Sequence, residues 1–286
     1  MAVTFDLIWP KVLSTGVVFA SPHSGRDYPE DMRVRTVLSE HVLRSSEDAH
    51  MDRLVADAPL HGAPLLVART PRSYVDLNRS CDELDPALVE GVRRVVHNPR
   101  VTSGLGVIPR VVANGRAIYS GKLTLAEARR RIEQHWQPYH ETLRSLLSRS
   151  REEFGKAVLI DWHSMPHEAI DGLSGRSRSA PDVVLGDRFG AAADPEIVER
   201  VERAFAAEGL RVARNAPFAG AFISQRYGRP SQGFHVVQIE IDRSLYMDEV
   251  TLATKPGFDE FRAMITRVMA DLVDLGRRPD LPMAAE

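Results

Sequence analysis

Cysteine is almost absent: Cys81 is the only one in 286 residues. A lone thiol forms no intramolecular disulfide and builds no multi-cysteine zinc knuckle, so the expected compartment is a reducing cytoplasm. Long apolar runs are missing too, and none approaches the length needed to span a bilayer. The opening Met1–Pro10 stretch lacks the basic segment and long apolar core of a secretory signal, so we expect a soluble chain that is not exported. Neither sign of charge is in excess, with 37 Lys+Arg against 39 Asp+Glu and a formal net charge of -2. That balance leaves no electrostatic footprint for nucleic acid or an anionic membrane. A small-molecule substrate is the expected partner, and a homo-oligomer stays open. The Arg129-Arg130-Arg131 run, flanked by Ala, Glu and Gln, reads as a solvated helix face.

Two catalytic signatures are missing as well. Gly104-Leu105-Gly106 has no third glycine at the required spacing and Pro109 argues against a helix opening there, so a dinucleotide-binding reading is rejected. No glycine and serine stretch fits the strained G-x-S-x-G turn of a serine nucleophile. No internal repeat occurs. What is present is an ordinary globular composition, 43% hydrophobic and 27% charged. It is consistent with one large α/β domain spanning residues 1–286.

Apolar runs that stop abruptly at polar residues organise the chain. Ala157-Val158-Leu159-Ile160 reads as a short buried strand, and His163 should emerge at its carboxyl end, where open α/β sheets place their chemistry. Val17-Val18-Phe19-Ala20 repeats the pattern, delivering His23 into a tight turn in which Gly25 allows a close backbone approach. Thr36 to Leu60 reads as helical, interrupted by the ligand-rich Ser45–Asp52 stretch. Ala63–Ala68 is a third strand, followed by Arg69, Arg72 and Arg79, whose planar guanidinium forks suit capture of a carboxylate. Asp76 could hold one of them.

Ser80 to Arg100 reads as a loop with one short helix, and 104–119 as a hairpin or an excursion over a site. Thr124 to Phe154 is the longest helical stretch, interrupted near Pro138, and its His135 and His140 are assigned to helix packing. Residues 171–180, rich in Ser, Gly and Arg, read as a loop able to cover a site. Strands are expected at Pro181–Asp187 and Arg211–Ala213, and helices at Pro195–Gly209 and Asp259–Leu275. In the strand-forming run Phe234–Arg243, Glu240 is costly to bury unless paired or used.

The unusual strand-end residues are therefore His23, Arg79, His163 and Glu240. Two histidines and a carboxylate make a three-ligand zinc site with a position left for water. Glu240 would then be the general base, taking a proton from that water and passing it to the leaving amine.

Ser-Pro-His23-Ser-Gly, Asp48-Ala-His50, Val-Asp-Leu-Asn78-Arg79, Asp161-Trp-His163-Ser164, Pro-Phe-Ala-Gly220 and Gln-Ile-Glu240-Ile, with Leu-Tyr-Met-Asp248 after it, together resemble the N-formylglutamate amidohydrolase family. The likeness runs from about Val17 to Glu249 and includes the Trp-Gln-Pro-Tyr-His140 segment. It implies a zinc-exopeptidase-like, three-layer α/β/α fold with a central mixed sheet, and hydrolysis of an N-formyl amino acid to formate and the free amino acid, glutamate in the named reaction. It also implies roles: His23, Asp48 and His163 as ligands of one Zn2+ ion, Asn78 and Arg79 as the grip on the substrate's α-carboxylate, and Glu240 as the catalytic acid. Glu47 and His50 stay open as alternatives to Asp48. Arg226 is similar to an arginine that the family carries near its site, placed to meet a second carboxylate. Family members linked to histidine breakdown carry a longer Tyr- and Gly-rich segment after Asp-Leu-Asn-Arg, whereas Ser80–Asp85 here leads into a different loop, so the glutamate side-chain pocket is the part least covered. Two other readings stand beside it: a zinc amidohydrolase for another N-acyl amino acid or small peptide, and a non-catalytic ligand-binding protein on the same fold.

Overall fold

The computed structural model of the protein describes residues 3–92, 98–112, 115–171 and 180–277. The chain forms two compact units: Met1–Asp6, Ser21–Asp52 and Val67–Leu143 make one, and Leu7–Ala20, Arg53–Leu66 and Arg144–Glu286 the other. Among the described residues no helix is long and apolar enough to cross a membrane.

Strands β1 (Phe5–Ile8), β2 (Val17–Ser21), β3 (Leu65–Ala68), β4 (Ala157–Met165), β5 (Val183–Gly186), β6 (Val212–Arg214) and β7 (Phe234–Asp242) form a seven-stranded sheet in the order β1-β3-β2-β4-β7-β5-β6. Strands β2, β4 and β7 run parallel, whereas β5 pairs antiparallel with β7, so the sheet is mixed. This is an α/β architecture, with the central mixed sheet that the family resemblance implied. Every residue of β2 and β4 is buried. Their near-continuous apolar runs, in place of strict alternation, are what a strand covered on both faces requires.

Alternation still sorts the side chains of β4. Trp162 packs on Phe19 and on Phe205, with ring centroids 6.3 and 6.0 Å apart. Phe205 belongs to the helix Pro195–Ala207, which buries Ile197, Val198, Val201, Ala204 and Phe205 as one apolar stripe. Asp161 and His163 therefore point to the opposite face of the sheet, because side chains alternate along a strand. The register places Asp161 beside Gln238 and His163 beside Glu240. Four polar side chains thus share one face of two neighbouring central strands.

Several sequence expectations change. Strand β4 continues to Met165, so His163 lies within the strand near its carboxyl end and does not emerge beyond it. Thr36–Leu60 is interrupted within Ser45–Asp52 as expected, but its helical parts are only short pieces, Glu40–Leu43, Arg44–Ser46, Met51–Leu54 and Ala58–His61. The break falls at Glu47-Asp48, with the backbone turned at His50 into the left-handed region at φ 65, which a continuing helix does not contain. The long helical stretch divides into Leu125–Arg131, a π-helical turn Ile132–Trp136 and Gln137–Phe154. Pro138 explains the place of the change, since it has no N–H for the carbonyl one turn earlier.

The expected solvated arginine face is only partly so: Arg129 and Arg130 are exposed, but Arg131 is buried. Its guanidinium lies 4.0 Å over the ring of Tyr74, donates to Tyr119 Oη at 2.8 Å and pairs with Glu127 at 2.7 Å. Stacking and a carboxylate supply what water would otherwise give the charge.

Candidate active site

In the unit containing Ser21–Asp52 and Val67–Leu143, the chain leaving β2 turns at Ser21-Pro22-His23, and His23 is buried. Its Nε2 lies 2.8 Å from Asp76 Oδ1. The second oxygen of Asp76 accepts from Arg72 at 2.9 Å, and the backbone N–H of Asn78 donates to Oδ1 at 2.8 Å. Burial works against a charged Asp76, yet the Arg72 and Arg79 charges and the contact with His23 outweigh it and hold the carboxyl well below the usual range. An ionised carboxylate so placed fixes the ring orientation of His23. Asp76 does hold an arginine, as expected, and a histidine besides.

Asp48 is tied to the same turn, its backbone N–H donating to His23 O at 3.0 Å. Its Oδ2 lies 3.6 Å from His23 Nδ1. Neighbouring Glu47 is differently engaged: it accepts from Tyr28 Oη at 2.6 Å and Arg44 Nε at 3.1 Å. Gly25 makes the close approach anticipated for it, but to backbone: a Cβ there would collide with the carbonyl oxygen of Thr70.

Arg79 and Asn78 are buried. Arg79 Nε donates to Leu105 O at 3.0 Å, and its Nη1 to Asn78 O at 2.8 Å. Burial lowers the pKa of Arg79, and Asp76 acts against that shift. Arg69, by contrast, sits at the surface with Asp27 at 2.8 Å. The three arginines of this segment therefore have three different settings.

In the other unit, His163 Nε2 lies 3.0 Å from Asp161 Oδ2 on the same strand face. Gln238 donates to Glu240 Oε1 at 2.8 Å and accepts from the backbone N–H of Ala221 at 3.0 Å. Ala221 opens the helix Phe222–Tyr227, and Arg226 is exposed on its last turn. Arg243 donates to Ser164 Oγ at 3.1 Å. The possible cover at 171–180 falls almost entirely on 172–179, which lie outside the described residues.

His23, Asp48 and His163 each offer one ligand atom, all within 4.8 Å of one another, and all three residues are buried. This group could hold a metal ion; neither Glu47 nor His50 belongs to it. The donor set of two imidazoles and one carboxylate fits a divalent cation, and an aspartate engages Nε2 of each histidine and so orients its ring. Two contributors carried weak sequence signals. Asp161 and Gln238 each stand two positions before a singled-out residue, and polar residues at that spacing inside an apolar strand share a face.

An amide-hydrolysing enzyme is the class to which these features and the known relatives assign the chain. A model of the family described as N-formylglutamate amidohydrolase matches residues 15–247. The chain is 34% identical over 266 residues to an N-formylglutamate deformylase of Pseudomonas aeruginosa, covering 91% of this chain and 94% of that one. A relative of the same description from Pseudomonas putida is 34% identical over 236 residues, covering 82% of each chain. The crystal structure of an N-formylglutamate amidohydrolase from Ralstonia eutropha superposes with a TM-score of 0.89 at 36% identity, over 96% of this chain and 98% of that one. The chain belongs to the N-formylglutamate amidohydrolase family.

Proposed function

We propose that this protein hydrolyses N-formyl-L-glutamate to formate and L-glutamate, using one Zn2+ ion held by His23, Asp48 and His163. The convergence of those three buried residues within 4.8 Å is the observation that carries the reading. When bound, such an ion supplies Lewis acidity toward the formyl carbonyl and a water of lowered pKa at neutral pH. Asp76 and Asp161 hold the two imidazoles in orientation. Glu240, in register with His163 and steadied by Gln238, takes the proton of the attacking water and returns it to the departing amine nitrogen. Arg79 and Asn78 grip the α-carboxylate, and Arg226 meets the side-chain carboxylate.

The family match extends over 15–247 and draws on both compact units. That supports a single amidohydrolase domain over 1–286. The lone Cys81 and the amino-acid substrate are consistent with work in the cytoplasm.

The test combines metal analysis with a substrate panel. Purified protein is expected to hold one zinc per chain and to release formate from N-formyl-L-glutamate faster than it deacylates N-acetyl-L-glutamate or N-formyl-L-phenylalanine, and His163→Ala is expected to lose the metal. A preference for acetyl or aromatic substrates would move the assignment to another N-acyl amino acid. Absence of both metal and turnover would leave a ligand-binding protein.

A further inference from the structure

The segment that carries Arg72, Asp76, Asn78 and Arg79 is held along its length by the helical stretch 125–154. Thr70 Oγ1 lies 2.8 Å from His135 Nδ1, and the Tyr74 ring packs edge-on against His135 with centroids 5.2 Å apart. The guanidinium of Arg131 lies over the Tyr74 ring, 4.0 Å from its centroid. Trp136 Nε1 donates to Arg79 O at 2.9 Å, and His140 Nε2 lies 2.9 Å from Leu77 O. A carbonyl only accepts, so Nε2 of His140 carries the proton. The Trp136 and His140 rings lie 4.0 Å apart, so the two donors brace each other. Asn78 sits between the two carbonyls they grip.

In an uninterrupted α-helix Arg131, Trp136 and His140 would not share a face. Residues aligned with position 131 recur at about every fourth place, whereas 136 and 140 are each one place too late. The π-helical turn supplies the missing place: Gln137 N–H bonds Ile132 O, closing a wider ring that accommodates one extra residue. With that place added, Trp136 and His140 stand where the fourth and eighth residues after Arg131 would stand in an unbroken α-helix. All three then reach the same segment.

We propose that Trp136 and His140, brought into register by the π-helical turn, are positioning residues that set the Leu77-Asn78-Arg79 backbone for the substrate's α-carboxylate. They touch no reacting atom. They fix the two peptide carbonyls flanking Asn78 and so the direction in which Asn78 and Arg79 present their donors. This rests on the assignment of Asn78 and Arg79 to carboxylate binding given above.

The experiment is steady-state kinetics of the metal-loaded enzyme on N-formyl-L-glutamate and on its α-carboxamide, which lacks the charge Arg79 would grip. Trp136→Phe and His140→Phe are each expected to raise KM for the carboxylate substrate about threefold to tenfold, the worth of one hydrogen bond, with kcat nearly unchanged. KM for the carboxamide should not move. His140→Gln, which can present an N–H near the same place, should restore the low KM. Equal KM increases on both substrates, or a kcat loss that tracks a fall in Tm, would overturn the proposal. Arg79→Lys separates the two levels. If it raises KM for the carboxylate alone while the helix variants do not, positioning fails and the carboxylate assignment stands; if it has no effect on KM, both fall.

Discussion

The two histidines of the His23–Asp48–His163 group are oriented by aspartates in opposite ways. His23 is held by Asp76, a residue 53 positions away in the chain, whose carboxylate also serves Arg72 and the Asn78 N–H. His163 is held by Asp161, two positions earlier on the same strand. One pair is closed by loops and an ion pair, and the other by the alternation of a strand whose neighbours are already fixed by sheet register. The same hydrogen bond is therefore expensive to lose in one place and nearly self-maintaining in the other, because only the first organises other groups around it.

That contrast sets an order of effects. The largest belongs to the strand side: Glu240→Gln should keep the fold and the metal, since Gln238 and the register with His163 remain, yet lose about 10²- to 10⁴-fold in kcat. Full activity in this variant, with metal content confirmed, would remove Glu240 as the proton carrier. Next comes the direct comparison. Asp76→Asn and Asp161→Asn should each weaken zinc affinity by about 10- to 100-fold. Only Asp76→Asn should also cost about 2 kcal/mol of stability, because it removes the charged acceptor that Arg72 and the Asn78 N–H share, although Asp48 still lies 3.9 Å from Arg72. Chelator competition and denaturant melts read the two quantities separately, and equal stability losses would erase the distinction drawn here.

The smallest effect tests a carboxylate on the strand side that takes no part in the site. Asp182 is partly buried, which works against its charge, but hydrogen bonds and charge from Arg211 lower its pKa from the ordinary value of 3.8. The depressed pKa means stability that is present above pH 3.8 and is lost as pH falls through the lower, folded-state value. Because Arg211 is half exposed, Arg211→Ala should cost less than about 1 kcal/mol at neutral pH. The cost should vanish in acid. An undiminished difference between variant and parent at pH 2 to 3, roughly, would show that the pair does not act through that titration.

Much of the strand framework was legible in the sequence because buried strands announce themselves as short apolar runs, and Val17–Ala20, Leu65–Ala68 and Phe234–Asp242 all did so. The convergence of His23, Asp48 and His163 was legible through motif resemblance and through polar residues placed at strand ends. Less was readable where a residue's setting depends on a distant segment. Nothing near His23 announces Asp76 as its partner, and nothing in Arg129-Arg130-Arg131 distinguishes the one arginine that Tyr74, Tyr119 and Glu127 enclose. Pro138 signalled an interruption, but a proline reports a lost donor and not whether the helix bends, breaks or widens. The polar Ser45–Asp52 stretch signalled the interruption of 36–60, but not that the helical parts on either side are only three or four residues long, because the apolar spacing there is set by contacts of short pieces and not by one continuous helix face.

At Gly25 the turn bearing His23 lies flush against the main chain at Thr70, where the arginine-bearing segment begins, with no room for even a methyl group. Neither segment can be lengthened at that junction without prising the other loose. The seat of His23 and the start of the segment that carries Arg72, Asp76 and Arg79 are thereby one joint, so a side chain added at Gly25 is expected to disturb both.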